Sequence, residues 1–153
     1  MNPEFHLVHT SWQEHETALN AVRRAVFIEE QGVPAALEWD GLDESCHHVL
    51  VTAAGNRPVG TGRMKPDGHI GRMAVLKDCR GQGIGSAILT ALLDFARQQH
   101  CARAYLHAQV AAVSFYEKQG FTVDSEEFMD AGIAHRSMVR RLVSQEGYSA
   151  TNS

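Results

Sequence analysis

The sequence predicts an α/β (α+β) fold in which helices pack against a mixed β-sheet. Two observations predict it. Segments with alternating apolar residues and segments with helical apolar spacing succeed each other in the order β-α-β-β-β-α-β-α-β-β. The 153 residues, 44% hydrophobic and 21% charged, are also a typical size and composition for one domain. We expect that domain over residues 1–143, followed by a flexible polar tail over 144–153.

The first half of the chain predicts one strand, one helix and three further strands. Residues 5–12 alternate as a strand does, and a helical apolar pattern follows as far as Gly32. A polar, turn-rich loop extends from there to residue 45. Turn residues at Asn56 and in KPDG then separate three predicted strands, which are Cys46–Ala54, Arg57–Met64 and His69–Leu76.

The second half begins with a glycine-rich stretch, RGQGIG, at residues 80–85. It opens a predicted amphipathic helix, since apolar residues recur at helical spacing behind it. CARAYLHAQ predicts a strand and VAAVSFYEKQG a short helix that ends at Gly120. A closing strand pair is expected over residues 121–129 and 133–143.

The alternating glycines suggest a phosphate-binding helix start. First-turn N–H groups lack helical partners, and a Cβ would hold phosphate oxygens away from them. A Walker A loop is excluded because no lysine follows, and a dinucleotide fingerprint would have Ser86 in place of its third glycine. The pattern R-G-x-G-[IL]-G favours a coenzyme A pyrophosphate loop over a glycine turn that only starts a helix.

Two motifs in this order resemble the GNAT family of N-acetyltransferases. RGQGIGSAIL, preceded by MAV, resembles the acetyl-CoA motif of that family, and AQVAAVSFYEKQGF resembles its second conserved region. The segments VFIEEQGVP, GTGR…PDG and IGRMAV further resemble the ElaA-like branch. The match in element order extends from about residue 5 to residue 143, and it implies a mostly antiparallel central sheet.

The resemblance also implies a place for acetyl-CoA, as a co-substrate, between two splayed strands, residues 69–76 and 103–108. Backbone groups would pair with its pantetheine amides, and the glycine loop would hold its pyrophosphate. The residues expected to bind it are Met73, Ala74, Val75, Arg80, Gly81, Gln82, Gly83, Ile84, Gly85, Ser86 and Gln109.

Tyr116 is the expected catalytic acid, because it occupies the tyrosine position of SFYEKQGF. A phenol, protonated at neutral pH, can donate to the leaving thiolate. The acceptor amine must be deprotonated, at a cost of about 4 kcal/mol for an alkyl amine at pH 7. The strand-four glutamate that serves many family members as the base corresponds here to Gly71. The base stays open among Glu30, Asp43, Glu44, His107 and a water chain.

Two arginines are candidates for substrate binding. A hairpin turn near Asp67 places Arg63 opposite Gly71 or Arg72, and like charges that face each other need an anion between them. That anion is either a carboxylate of this chain, from Glu30 or Asp43, or an anionic group on the acceptor. The substrate-binding candidates are therefore Glu30, Arg63, Arg72 and His107.

Other partners are not indicated. The net charge of −4 and the short RRL segment give no nucleic-acid surface, and no apolar run is long enough to span a membrane. Without a signal-peptide pattern, we expect a cytoplasmic protein. The histidine pairs lack converging ligands, so no metal is expected.

Three cysteines without CxxC spacing are expected to be reduced thiols: Cys46, Cys79 and Cys101.

These observations lead to one expected function and one alternative. The first is an enzyme that transfers acetyl from acetyl-CoA to the amine of a small-molecule acceptor. The alternative is a non-catalytic acyl-CoA sensor or interaction module on the same fold. Family precedent further implies a homodimer.

Overall fold

The computed structural model describes residues 4–142, so the expected tail at 144–153 lies outside the described residues. Apart from the two differences given below, helices and strands follow each other along this range in the predicted order. The α-helices are α1 (Trp12–Arg23), α2 (Ala35–Glu38), α3 (Ile84–Gln98) and α4 (Val113–Lys118). The strands are β1 (His6–Thr10), β2 (His47–Ala53), β3 (Arg57–Met64), β4 (Ile70–Val75), β5 (Arg103–Gln109), β6 (Thr122–Val123), β7 (Phe128–Asp130) and β8 (Ile133–Arg141).

The β-structure divides into two antiparallel halves. The first has the order β1-β2-β3-β4, and in the second β8 lies between β5 and β6 and also pairs with β7. The halves meet at one parallel bridge, where His69 lies beside Tyr105. Gly68 makes this approach possible, since its φ is +96° and an added Cβ would lie 2.5 Å from the Arg103 carbonyl oxygen. Beyond the bridge β4 and β5 form no further pairing within residues 4–142, so the two strands splay apart.

Helices cover the two faces of the first half separately. Leu50 packs with Trp12 and Leu19 of α1, whereas its neighbours Val49 and Val51 belong to the core beneath α3. This alternation follows from the two-residue period of a strand. The Phe115 ring of α4 lies near Gly85, so α4 is on the α3 side. We call the two sides the α1 face and the α3 face.

A β-bulge in β4 changes which side chains reach each face. Thr61 pairs with Ala74, but Arg63 pairs with Gly71, so β4 has one extra residue between these pairs. Arg72 lies in this bulge with a φ of +50°, in the left-handed region. Its guanidinium consequently reaches the α1 face, and the next side chain, that of Met73, reaches the α3 face.

The structure differs from the predicted elements in two places. The expected loop at 34–45 contains α2 and a 3₁₀ turn, Asp43–Ser45. The expected strand at 121–129 is split into β6 and β7, because the Ser125 hydroxyl accepts a hydrogen bond from the Ser137 amide at 2.8 Å and interrupts the ladder. Among residues 4–142 there is no helix with the length and apolar character needed to cross a membrane.

Candidate active site

A cavity of about 510 Å³ opens where β4 and β5 splay apart. Its walls come from both strands, from the segment after α1, from α4 and from the β7–β8 hairpin. Elements far apart in sequence therefore meet at the point where two strands leave their backbone groups without a strand partner. An extended ligand with amide groups could pair with these edges.

The glycine loop supplies free donors at the start of α3. Gly83 is the N-cap, with a φ of +84°, and it has no side chain to accept from the first-turn N–H groups of residues 84–86. Gly81 also has a positive φ, and open space surrounds the position of its absent Cβ. The Ile84 side chain is buried, so this residue could offer a ligand only its backbone. A pyrophosphate fits such a set of donors.

Arg80 lies beside this loop, but an internal partner holds its guanidinium. Its Nη atoms donate to the Glu30 carboxylate at 2.7 and 2.8 Å, and Nε donates to the Val75 carbonyl at 2.9 Å. The hydrogen bond from Arg80 lowers the pKa of Glu30. Glu30 is consequently paired with Arg80, the side chain expected to help bind the pyrophosphate, and Glu30 does not line the cavity.

The backbone of β4 faces the gap at the expected residues. The Leu76 amide donates to Val59 of β3, so the Val75 carbonyl points the other way, toward the gap, where Arg80 reaches it. Met73, two residues earlier, has the same orientation. The Ala74 side chain packs with apolar residues of α1 and the π-helical segment after it, Arg24–Glu30.

Tyr116 brings a hydroxyl group to the cavity from the α3 face. Its hydroxyl lies 3.6 Å from the Met73 sulfur, and its ring makes edge contacts with Phe115 and Phe121. Burial raises the pKa of Tyr116 to about 12. The group therefore stays protonated at neutral pH and can act as a proton donor.

The two candidate arginines are neutralised by carboxylates of this chain. Arg63 donates to Asp40 and to Asp43, the latter at 2.8 Å, and Arg72 lies 3.1 Å from Glu38 and also pairs with Asp40. Glu30 takes no part in this cluster. Burial disfavours the charged form of Asp40, but hydrogen bonds from Arg63 and the Leu42 amide hold its pKa well below the usual range.

A third arginine anchors this cluster from α1. Arg23, only 1% exposed, donates to Asp43 at 2.6 Å and to Glu38 at 3.0 and 3.1 Å. The cluster fixes the segment with α2 as one wall of the cavity. Asp43, enclosed by Arg23 and Arg63, is therefore a poor candidate for the base, and Glu44 is exposed outside the cavity lining.

Amide and imidazole side chains line the cavity on its α1 face. Gln109, at the end of β5, donates to Gln31 at 3.0 Å and links the strand to the segment after α1. His107 is exposed, and its ring lies 4.9 Å from that of His69. Burial lowers the pKa of His69 to about 4.

Two cofactor-binding candidates remain. Gln82 lies in the glycine loop and Ser86 in the first turn of α3, where the Ser86 hydroxyl accepts a hydrogen bond from Gln119 at 3.2 Å.

Among the site residues that were not found from the sequence are Glu38, Asp40 and His135. The two acidic residues lie at the end of α2 and just after it, in a segment whose sequence shows no periodicity, although an acidic segment could have been matched to the two opposed arginines. His135 lies on β8, lines the cavity and is 9% exposed. Its position directly after a turn, in DAGIAH, gave no signal of a site. Within residues 4–142, no group of three or more His, Cys, Asp or Glu residues is placed to hold a metal ion.

Comparison with known proteins identifies the family. A family model described as an acetyltransferase (GNAT) domain matches residues 12–142. The chain belongs to the GNAT family. The uncharacterized N-acetyltransferase YjcF of Bacillus subtilis is 43% identical over 123 residues, which cover 78% of this chain and 87% of YjcF.

Solved structures of GNAT proteins share the fold. A protein from Lactobacillus plantarum, described as a putative N-acetyltransferase, is similar with a TM-score of 0.83 and 28% identity, over 91% of this chain and 99% of that one. Escherichia coli ElaA has a TM-score of 0.79 and 25% identity, over 90% and 99%. The predicted family and fold class are thus confirmed, and GNAT membership supports acyl transfer as the class of reaction.

Proposed function

We propose that this GNAT protein is an acetyl-CoA-dependent N-acetyltransferase that acts on the amine of a small molecule. The observation that carries the proposal is Tyr116, whose protonated hydroxyl lies at the gap between β4 and β5, against Met73. A thioester in this gap would place its sulfur within reach of a donor that needs no further activation.

The chain offers matching groups for each part of acetyl-CoA. Backbone groups of Met73 and Val75 face the gap and suit the pantetheine amides. First-turn N–H groups at residues 84–86 suit the pyrophosphate, with Arg80 beside them. Arg80 uses three of its five N–H groups on Val75 and Glu30, so one N–H on each Nη atom is left to contact a phosphate.

Tyr116 would supply the proton for the leaving group. As the carbon–sulfur bond of the thioester breaks, the hydroxyl donates to the developing thiolate, which leaves as the thiol of CoA. The raised pKa of Tyr116 means that the hydroxyl keeps its proton at neutral pH and is present as a hydrogen-bond donor when the thiolate develops. The amine supplies the new bond to the acetyl carbon.

Ligand-dependent thermal unfolding tests the first half of the proposal. Acetyl-CoA, CoA, ATP and NAD are compared in parallel. A ligand at 100 times its Kd stabilises a protein by about 2.7 kcal/mol, a shift of roughly 5–10 °C in Tm at this size. We expect such a shift with acetyl-CoA and CoA but not with NAD. If neither CoA species shifts the Tm at millimolar concentration, the glycines serve only as a turn and the proposal fails.

An amine screen tests the second half. Release of free CoA is followed with acetyl-CoA and a panel of polyamines, amino sugars and amino-acid derivatives. Tyr116→Phe should lower kcat by about 100- to 10,000-fold and leave the CoA-induced Tm shift in place, because the ring still packs. Tyr105→Phe removes a phenol that is bonded to Asp67, outside the cavity lining, and should leave kcat unchanged.

The screen also decides the alternative. CoA binding without turnover on any amine would favour an acyl-CoA sensor on the GNAT fold over an enzyme. The expected homodimer and cytoplasmic location stay predictions, and light scattering of the purified protein checks the first of them.

A further inference from the structure

His135 is a histidine of the cavity lining that the proposed reaction does not yet use. We propose that its Nε2 atom is the general base that takes the proton from the acceptor ammonium. This inference rests on the proposed acetyltransferase function, and it names the acceptor class as an alkyl amine that is protonated at neutral pH.

The hydrogen bond of His135 fixes which ring nitrogen is basic. Nδ1 lies 2.7 Å from the Ile133 carbonyl oxygen. A carbonyl can only accept, so Nδ1 carries the hydrogen and the lone pair of the neutral ring is on Nε2. Nε2 makes no hydrogen bond to another group of residues 4–142, yet it is not one of the fully enclosed polar atoms without a partner. The basic nitrogen therefore has no hydrogen-bond partner among residues 4–142 and is not fully enclosed, and its residue lines the cavity.

The ring is also held in place by its surroundings. His135 is 9% exposed, and its ring stacks on Phe128 of the neighbouring strand at a centroid distance of 6.0 Å. Its backbone pairs with Gln109 of β5, so the two side chains share one face of the sheet. Since Gln109 bonds to Gln31, that face is the α1 face.

This position is opposite the proposed acid. Tyr116 reaches the gap from the α3 face, whereas His135 lines the same cavity from the α1 face. An amine that enters from the α1 face would attack the thioester on one side while the thiolate leaves toward Tyr116 on the other. The two groups would thus act on different atoms without competing for one proton.

The other candidate bases lack one of these properties. His107 is exposed, and neither of its ring nitrogens is hydrogen-bonded within the described residues, so nothing sets its tautomer. Glu30 accepts two hydrogen bonds from Arg80 and lies outside the cavity lining. His135 alone among these three combines an orienting hydrogen bond with a free nitrogen at the cavity.

Every proton and every bond in the proposed step is accounted for. Nε2 takes one proton from the ammonium, and the freed lone pair of the amine forms the bond to the acetyl carbon. The carbon–sulfur bond then breaks and Tyr116 protonates the sulfur. The former amine nitrogen then loses a second proton, which passes through solvent to the Tyr116 phenolate and restores the hydroxyl. His135 releases the proton that it took to water. The products are the amide, CoA thiol and one proton.

Two substitutions at His135 distinguish a role as general base from a purely structural role. His135→Asn keeps an N–H donor where Nδ1 stands and removes Nε2, so the bond to Ile133 can persist. We expect kcat to fall about 100- to 10,000-fold with the best amine of the screen, while the CoA-induced Tm shift persists. His135→Gln should fail equally, since an amide nitrogen is not basic. His6→Asn, on the far edge strand β1, is the matched control with unchanged kcat.

The outcomes discriminate between the two proposals. Near-wild-type turnover by His135→Asn overturns the base and leaves the acetyltransferase function standing, whereas no turnover by the wild type on any amine overturns both. Nitrogen-15 NMR of the imidazole rings in the wild type provides a test that needs no variant. A neutral His135 with its hydrogen on Nδ1 supports the proposal, and one with its hydrogen on Nε2 overturns it.

Discussion

Removing the Arg23 guanidinium should destabilise the fold strongly, because it is the buried centre of the ion cluster. Arg23→Met retains much of the side-chain length but leaves two buried carboxylates short of a partner. Breaking a buried ion pair from one side costs about 3–5 kcal/mol. Glu38 keeps Arg72 at 3.1 Å and Asp43 keeps Arg63 at 2.8 Å, so we expect a loss of about 3 kcal/mol, at the lower end of that range.

Urea unfolding followed by circular dichroism measures this loss, and thermal unfolding should show a Tm lower by roughly 6–12 °C. Arg57→Met is the matched control, since Arg57 pairs with Asp78 at the surface, where the side chains are 50% and 64% exposed. That variant should unfold as the wild type does. If both variants lose equally little stability, the cluster does not hold the α2 wall as we argue.

Three further perturbations follow from described contacts. Gly62→Ala would place a Cβ 2.8 Å from a side-chain atom of α3 and should cost about 1–3 kcal/mol in urea unfolding, whereas Gly71→Ala, with open space around it, should cost far less. The pKa of His69 is about 4 against an ordinary 6.5, so the unfolded chain binds more protons between these values and stability should rise with pH across them. His69→Phe should reduce that slope in unfolding curves measured at stepped pH, and an unchanged slope would contradict the assignment. Glu30→Gln frees Arg80 from a partly exposed ion pair, so CoA binding measured by calorimetry should become up to about fivefold tighter. Weaker binding would instead show that the ion pair organises the glycine loop.

The sequence predicts the parts of the site that depend on local spacing. The glycines before α3, the strand before them and Tyr116 on a short helix each follow from a pattern within a few residues. The position of Arg63 opposite Gly71 or Arg72 also follows, because a hairpin turn near Asp67 sets the register of the two strands, and the structure pairs Arg63 with Gly71.

Contacts between distant segments could not be predicted in the same way. Glu30 and Asp43 were equivalent as anions for the arginines, and only the fold directs Glu30 to Arg80 and Asp43 to the buried cluster. The bulge at Arg72 was hidden as well, because the three residues after it, 73–75, are all apolar and mask the shift in alternation that a bulge causes. His135 becomes informative only through its carbonyl partner and the cavity beside it.

Within residues 4–142 a single bridge joins the two sheet halves, and this has a consequence for protein engineering. A cut in the turn between α3 and β5, at residues 99–102, would give two fragments, and each would keep its own antiparallel sheet intact. Reassembly would depend on the apolar core that both fragments share and on that one bridge at His69 and Tyr105. A ligand that pairs with both strand edges would join the fragments, so a split reporter built at this turn is expected to complement in response to acyl-CoA.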